Sequence, residues 1–281
     1  MAGQNHVARR SVLAAAALVP AAVAANAARA QTTRATQPSN GKVALVTGSS
    51  RGIGAATARR LARDGYAVTV NCVTNRDLAA AVVRDIEADG GRAIWEQADV
   101  SDPAAVHRLF DANERAFGGV DVVVSNAGIM LLAPFSDMTD KDFDRMFAVN
   151  AKGSFNVLRE AARRVRDGGR IITLSSSIVQ FRSPTYGPYA ATKAVQDMYA
   201  GVLAKELGAR RIAVNAVAPG LVSTSLFTDG KTAQQIQGFI DRTPMGRLGE
   251  PSNIADTIAA LCGGDGAWVS GQTIFSNGAV V

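Results

Sequence analysis

Short apolar runs alternate along most of the chain with longer segments whose apolar positions recur every three or four residues. The first run, residues 42–47, reads Lys-Val-Ala-Leu-Val-Thr, and an amphipathic segment follows it from about Ile53 to Asp64. Short continuous apolar runs are typical of strands buried in a parallel sheet, whereas the longer spacing is typical of the helices that cover it. The pattern predicts further strands at residues 67–72, 92–97, 120–125, 170–175, 211–217 and 272–276.

This alternation predicts an α/β fold, with a doubly wound parallel sheet that carries helices on both faces. The regular part of the chain, residues 41–281, is long enough to bury one substantial core, so we expect a single domain there. No repeat, coiled coil or internal linker interrupts the alternation.

The first forty residues have a different composition. Paired arginines at positions 9 and 10 precede an Ala- and Val-rich run, and Ala-Arg-Ala at residues 28–30 offers a small-residue cleavage site. Such a segment is typical of a secretory signal, and the paired arginines favour the twin-arginine route. We therefore expect a signal at residues 1–30, a flexible linker at residues 31–40 and a periplasmic location. The apolar run is short and is interrupted by Pro20 and Asn26, so no stable membrane insertion is expected after processing. The alternative is an extension ahead of a cytoplasmic protein.

Charge and composition exclude several classes of partner. The formal net charge is +6, but residues 1–30 contain three arginines and no acid, which leaves +3 for the remainder. No basic stripe with interleaved aromatic residues is present, so we do not expect a nucleic-acid partner. We interpret Arg163, Arg164 and Arg166 as a solvated helix end. With two cysteines far apart and two histidines, neither a disulfide framework nor a metal site is expected.

A glycine-rich turn separates the first predicted strand from the first predicted helix. Residues 47–54 read Thr-Gly-Ser-Ser-Arg-Gly-Ile-Gly. Glycines let the backbone turn tightly and approach a pyrophosphate, and the following helix N-terminus faces its negative charge. The spacing is G-x-x-x-G-x-G rather than the more usual G-x-G-x-x-G, and an ordinary strand-to-helix loop is the alternative. Its placement favours a Rossmann-type dinucleotide site.

Two features favour NADP(H) as the dinucleotide, with NAD(H) possible. The second predicted strand ends around Asn71 without the Asp or Glu that binds the ribose hydroxyls in many NAD sites. Arg51 lies in the glycine turn, where its cation is placed to meet a 2′-phosphate, although a solvated loop charge is the alternative.

A second candidate site combines a tyrosine, a lysine and a serine. Tyr189 and Lys193 are four residues apart, so on a helix their side chains share one face. A free phenol titrates near ~10, and a neighbouring ammonium lowers that pKa. Ser176, thirteen residues before Tyr189, supplies a hydroxyl to hold a reactant oxygen. The set is suited to moving a proton onto or off a carbonyl oxygen. The alternative is a packed Tyr beside a surface Lys.

Taken together, these features resemble the classical short-chain dehydrogenase/reductase family, from about Gly41 to the C-terminus. The matching segments are the glycine turn, Asp99-Val100, Asn126-Ala127-Gly128, Asn150, the set of Ser176, Tyr189 and Lys193, Pro219-Gly220 with Thr224, and residues 246–251. The chain end, residues 276–281, departs from the usual pattern of an Asp before paired glycines. This departure puts the packing of the tail in doubt.

The resemblance implies a role for each matching residue. Tyr189 acts as general acid in reduction and as base in oxidation, while Lys193 lowers its pKa and binds the nicotinamide ribose. Ser176 polarises the substrate carbonyl. Asn150 holds a water in the proton relay, or it simply ties a helix backbone to a loop. Asp99 is alternatively a turn residue, and Thr224 is alternatively a helix N-cap. The predicted cofactor-binding residues are Gly48, Ser50, Arg51, Gly52, Ile53, Gly54, Asn71, Asp99, Val100, Asn126, Ala127, Gly128, Tyr189, Lys193, Pro219, Gly220, Val222 and Thr224.

The implied activity is hydride transfer between NADP(H) and a small-molecule carbonyl or secondary alcohol, in a homotetramer or homodimer. The alternative is a non-catalytic NADP-binding redox sensor or assembly partner. A mostly apolar substrate pocket is expected, and residues 225–243 are a plausible lid. The predicted pocket residues are Ile178, Val179, Gln180, Phe181, Tyr186, Leu221, Leu226 and Phe227.

Overall fold

A computed structural model describes residues 39–281. The predicted signal and all of the predicted linker except residues 39 and 40 lie outside the described residues. The strands are β1 Val43–Val46, β2 Ala67–Cys72, β3 Arg92–Gln97, β4 Val120–Ser125, β5 Val165–Leu174, β6 Ala213–Pro219 and β7 Thr273–Ser276. The helices are α1 Gly52–Arg63, α2 Arg76–Ala88, α3 Pro103–Phe117, α4 Asp140–Phe147, α5 Ser154–Arg164, α6 Ile178–Phe181, α7 Gly187–Glu206, α8 Ser225–Thr228, α9 Ala233–Ile240 and α10 Pro251–Cys262. A π-helical turn, Ala148–Gly153, joins α4 to α5, and a 3-10 turn, Gly208–Arg210, follows α7.

The strands form one parallel sheet in the order β3-β2-β1-β4-β5-β6-β7. Successive side chains of a strand point to opposite faces of a sheet, so each face has its own core. Val46 and Val124 pack in one cluster with side chains of α1, α2 and α10, whereas Leu45 and Val123 pack in another with side chains of α3, α5 and α7. The predicted doubly wound α/β fold is confirmed.

The strand order reverses direction between β1 and β4, which are neighbours in the sheet although two strands separate them in sequence. At such a reversal the loops that follow the two strands leave toward opposite faces and open a crevice at their carboxyl ends. The fold therefore brings the glycine turn after β1 beside the loop that follows β4.

Strand β5 begins five residues earlier than the apolar pattern predicts. Its pairing with β4 passes from Val120–Val165 directly to Val122–Arg170, so residues 166–169 form an irregularity in the ladder. Those four residues read Arg-Asp-Gly-Gly, a polar sequence without any strand signal.

The prediction of a solvated helix end is wrong for Arg164. Its side chain is only 14% exposed, and the guanidinium pairs with Glu160 of α5 at 2.8 Å and with Asp111 of α3 at 2.7 Å. These acids lie on the surface where α3 packs against α5, a contact that cannot be read from the run of arginines. Arg163 and Arg166 are exposed, although each has a carboxylate partner.

Among residues 39–281, no helix combines the length and the apolar character needed to cross a membrane. The same part of the chain has no group of three His, Cys, Asp or Glu side chains placed to hold a metal ion. Cys72 and Cys262 are both free and buried.

Candidate active site

The glycine turn packs directly against the loop that follows β4. Gly48 has φ +61°, and a Cβ there would lie 2.8 Å from the Cα of Ala127. A Cβ on Gly54 would lie 2.5 Å from the side-chain nitrogen of Asn126. That nitrogen donates to the carbonyl of Gly48 at 3.1 Å, which holds the two loops together. Only glycine fits at these two positions without a shift, because a side chain would meet the opposite loop at both, and Gly48 also has a left-handed backbone.

The N-terminus of α1 carries no protein group that neutralises it. Arg51 occupies the N-cap position without a capping side-chain hydrogen bond, and the first turn has no acidic residue. The Arg51 side chain is exposed and has no hydrogen bond or ion pair with any residue between 39 and 281. Uncapped helix amides beside a free cation suit a phosphate group, so these residues fit a phosphorylated dinucleotide. Ser50 and Gly52 lie half-buried in the same turn.

Asn71 supports the turn from beneath. It is buried, its side-chain oxygen accepts from the amide of Gly48 at 3.0 Å, and its side-chain nitrogen donates to Ala98 at 3.1 Å. This amide is committed to the protein, so the structure gives Asn71 a role in shaping the turn.

Asp99 and Val100 follow β3, which is the edge strand next to β2 in the sheet. Burial alone would raise the pKa of Asp99, but hydrogen bonds from Ser101 and the charge of Arg145 lower it overall. The carboxylate accepts from both the amide and the hydroxyl of Ser101, which is the turn geometry of the alternative interpretation. Val100 is buried, and its carbonyl accepts from Asn156.

A cavity of about 510 Å³ opens beside the glycine turn at the carboxyl ends of the central strands. Ser176, Tyr189 and Lys193 all line it, as the sequence predicts for residues that act on one substrate. Seven further predicted residues line the same cavity: Ile53, Asn126, Gly128, Pro219, Gly220, Val222 and Thr224. Six of the eight predicted pocket side chains line it too, namely Ile178, Phe181, Tyr186, Leu221, Leu226 and Phe227, whereas Val179 and Gln180 do not.

The phenol of Tyr189 is held in its protonated form. Burial raises the pKa of Tyr189, the hydrogen bond with Ser176 opposes that rise, and Tyr186 adds to it. Lys193 does not lower the pKa of this phenol as the sequence predicts, because burial outweighs the influences that oppose it. Burial lowers the pKa of Lys193 to about 8, and Asp197 only partly opposes this. A neutral phenol is the form that donates a proton.

Lys193 is anchored below the tyrosine ring. Its Nζ donates to the carbonyl of Leu174 at 2.8 Å and lies 5.8 Å from the ring centroid of Tyr189. A Cβ on Gly128 would lie 3.6 Å from this Nζ and 3.3 Å from the Oδ1 of Asn150. Lys193 and Asn150 therefore border the same point of the loop after β4.

Asn150 ties a helix backbone to a neighbouring loop, which is one of the two interpretations of this residue. Its Oδ1 accepts from the amide of Ile129, and its Nδ2 donates to the carbonyl of Ile129, both at 2.8 Å. The same Nδ2 donates to the hydroxyl of Thr192 on α7 at 3.0 Å. The π-helical turn is thus joined both to the loop after β4 and to the helix that carries Tyr189.

Gln196 is a supporting residue that sequence reasoning missed. It is 1% exposed, its Nε2 donates to the carbonyl of Asn150 at 2.7 Å, and its Oε1 accepts from Thr173 of β5 at 2.5 Å. Its position, seven residues after Tyr189 and three after Lys193, places it on their helix face. This spacing is the sequence signal from which Gln196 could have been identified.

The chain end packs against the site despite its unusual sequence. Asn277 donates to the hydroxyl of Ser177 at 3.2 Å, and its Cα would lie 2.7 Å from a Cβ on Gly220. Val280 lines the cavity.

Thr224 occupies the N-cap position of α8, but its hydroxyl approaches the carbonyl of Val222 and does not cap the helix.

Comparison with known proteins decides the family. A family profile described as enoyl-(acyl carrier protein) reductase matches residues 48–280. A short-chain type dehydrogenase/reductase of Picea abies is 41% identical over 251 residues, which cover 86% of this chain and 93% of the relative. The chain belongs to the short-chain dehydrogenase/reductase family.

Two other members of this family are reductases by name. Versicolorin reductase of Emericella nidulans is 40% identical over 253 residues, covering 85% of this chain and 95% of the relative. The crystal structure of the angucycline C-6 ketoreductase LanV with bound NADP is similar with a TM-score of 0.82 and 37% identity, over 87% of this chain and 96% of LanV. The oxidoreductase class expected from the sequence agrees with these names.

Proposed function

We propose that this short-chain dehydrogenase/reductase interconverts a carbonyl compound and a secondary alcohol with NADP(H). The observation that carries the proposal is the convergence of Ser176, Tyr189 and Lys193 on one cavity beside the glycine turn. A non-catalytic NADP-binding sensor has no need of this arrangement, because binding alone does not require a buried phenol facing a substrate-sized space.

The three side chains divide the proton transfer among them. The Ser176 hydroxyl donates a hydrogen bond to the substrate carbonyl oxygen and polarises it, and the protonated Tyr189 delivers its proton to the same oxygen. The ammonium form of Lys193 stabilises the phenolate that remains. Bound at the glycine turn and Arg51, NADPH would supply the hydride, and with the Tyr189 proton this would convert the carbonyl to the alcohol and NADPH to NADP⁺.

The preference for the phosphorylated cofactor rests on Arg51 and on the absence of an acid after β2, and it agrees with the NADP bound in LanV. A charge-assisted hydrogen bond contributes about 1.5–3 kcal/mol, so Arg51→Ala is expected to raise KM for NADPH by about 10- to 100-fold. KM for NADH should change by less than about threefold. Arg59→Ala, on the same helix but paired with Asp85, is the matched control. Equal losses for NADPH and NADH would count against a 2′-phosphate contact.

The cavity walls favour an apolar substrate with aromatic rings. Phe181, Tyr186, Phe227 and Phe239 line a space large enough for a multi-ring ketone. A panel of aryl and alkyl ketones, followed by NADPH absorbance, tests this. Turnover confined to alkyl ketones would refute the aromatic preference.

We propose further that the protein is a homo-oligomer. Phe155 of α5 and Met198 and Val202 of α7 are exposed on two helices that pack side by side. Adjacent exposed apolar side chains are typical of an interface. Light scattering should show a dimer or tetramer, and Met198→Glu should shift it toward the monomer. A monomeric parent would contradict the proposal.

Export to the periplasm is proposed from the signal-like sequence of residues 1–30, and the paired arginines favour the twin-arginine route. Replacing Arg9 and Arg10 with lysine should retain the protein in the cytoplasm of a bacterial host, as followed by fractionation. Unchanged distribution would favour the cytoplasmic alternative.

A further inference from the structure

The segment proposed as a lid carries two aromatic rings, each covered by a cation. Phe227 of α8 and Phe239 of α9 meet edge to face with centroids 5.2 Å apart, and both line the cavity. The Nζ of Lys231 lies 4.6 Å from the Phe227 ring, and the guanidinium carbon of Arg242 lies 4.9 Å from the Phe239 ring.

The two cations differ in what they can reach. Arg242 lines the cavity, whereas Lys231 does not. Lys231 directs its ammonium to the carbonyl of Phe227. Arg242 uses only Nε internally, donating to the carbonyl of Gly238 at 2.9 Å, and forms no ion pair with any acid between residues 39 and 281. Its two terminal nitrogens therefore remain available at the cavity.

The cavity walls leave that charge without a counterion. No Asp or Glu is among the residues lining the cavity, and the other cation there, Lys193, is anchored to Leu174. A guanidinium that lies over an aromatic ring and is held by one backbone bond has already lost part of its side-chain freedom. Binding through its terminal nitrogens therefore costs less ordering.

We propose that Arg242 is a substrate-binding residue that pairs with a carboxylate carried by an aromatic ketone substrate. The planar guanidinium matches a carboxylate through two parallel hydrogen bonds. The rings of Phe227 and Phe239 receive the apolar body of the same substrate. This inference rests on the proposed function, because it places the reacting carbonyl at Tyr189.

The test compares two ketones of equal shape and different charge. The substrates are 4-acetylbenzoate and 4-acetylbenzamide, and the variants are Arg242→Gln and the matched control Lys231→Gln. Arg242 is exposed to solvent at the cavity edge, so a moderate effect is expected. Arg242→Gln should raise KM for the benzoate about 5- to 10-fold and KM for the benzamide less than about twofold. Lys231→Gln should change both by less than about twofold, and Arg242→Lys should restore part of the loss.

Three results would overturn the assignment. The first is an equal effect of Arg242→Gln on both ketones, and the second is an equal effect of the two variants on the benzoate. The third is a rise in KM for NADPH instead of KM for the ketone, which would show that Arg242 meets a cofactor phosphate.

A binding experiment separates this inference from the proposed function. In the Tyr189→Phe background, calorimetry with 4-acetylbenzoate measures affinity without turnover. Loss of that affinity on adding Arg242→Gln, together with weakening at high salt, supports the carboxylate site even where the parent reduces neither ketone. No preference for the benzoate over the benzamide in the Arg242-containing protein would overturn it.

Discussion

Replacing Gln196 with leucine probes the hydrogen bonds that hold the π-helical turn beside the proposed catalytic residues. The change keeps the size of the side chain but removes the donor to the carbonyl of Asn150 at 2.7 Å and the acceptor for Thr173 at 2.5 Å. Both partners are buried, at 1% and 0% exposure, so neither gains a water in exchange. Leaving two buried polar groups unpaired costs about 1–3 kcal/mol each, and the added apolar burial returns about 1 kcal/mol.

The unfolding free energy should therefore fall by about 3 kcal/mol, with a range of about 1–5 kcal/mol. For a domain of this size that corresponds to a Tm lower by about 6–12 °C. Because the carbonyl of Asn150 loses its hydrogen bond, kcat should fall by about tenfold. The glycine turn is untouched, so KM for NADPH should change by less than about twofold in either direction.

Urea titration of the parent, Gln196→Leu, Thr173→Val and the double variant measures the pair directly. The free energy of unfolding should fall by less in the double variant than the sum of the two single decreases. The reason is that removing both Thr173 and Gln196 leaves neither with an unpaired polar group. Strictly additive losses, or a Gln196→Leu protein as stable and as active as the parent, would refute the assigned network.

Three further variants test other parts of the account. Gly54→Ala brings a methyl group to 2.5 Å from Asn126 and should cost about 1–3 kcal/mol and weaken NADPH binding more than about tenfold. Gly201→Ala, where the methyl meets no atom within 4 Å, should instead stabilise α7 by about 0.5–1 kcal/mol. Similar urea midpoints for these two variants would contradict the packing described. The pKa of Lys193, lowered to about 8 from 10.5, implies that the stability contributed by this residue is present above about pH 10.5 and is lost as the pH falls through 8. Lys193→Met should remove this dependence, on the order of 3 kcal/mol between pH 7 and pH 10.5, and parallel pH profiles for parent and variant would argue against a buried ammonium.

The sequence was sufficient for features that depend on local order. The glycine turn follows a strand and precedes a helix, and Tyr189 and Lys193 are separated by one helical turn, so their placement follows from geometry that a single segment imposes. The alternation of apolar runs and amphipathic segments likewise predicted the parallel sheet, because each element must bury its apolar side.

Features that depend on contacts between distant segments could not be predicted in this way. Arg164 is paired because α3 brings Asp111 against α5, and the pKa of Tyr189 is raised because the surrounding elements exclude water. Arg242 and Val280 line the cavity because of the path taken by the segment predicted to be a lid and by the chain end. No spacing along the chain marks these contacts. The residue pattern alone therefore predicts that Lys193 lowers the pKa of Tyr189, an effect that burial outweighs.

The central claim is that the phenol of Tyr189 protonates the substrate oxygen beside bound NADPH. The most direct measurement is kcat of Tyr189→Phe with an accepted ketone, alongside the Kd for NADPH. General acid catalysis by a positioned side chain contributes about 10²- to 10⁴-fold, so kcat should fall by that factor. The Kd for NADPH should stay within about threefold, because removing one hydroxyl leaves the glycine turn and Arg51 intact. Turnover within tenfold of the parent, at unchanged cofactor affinity, would contradict the account.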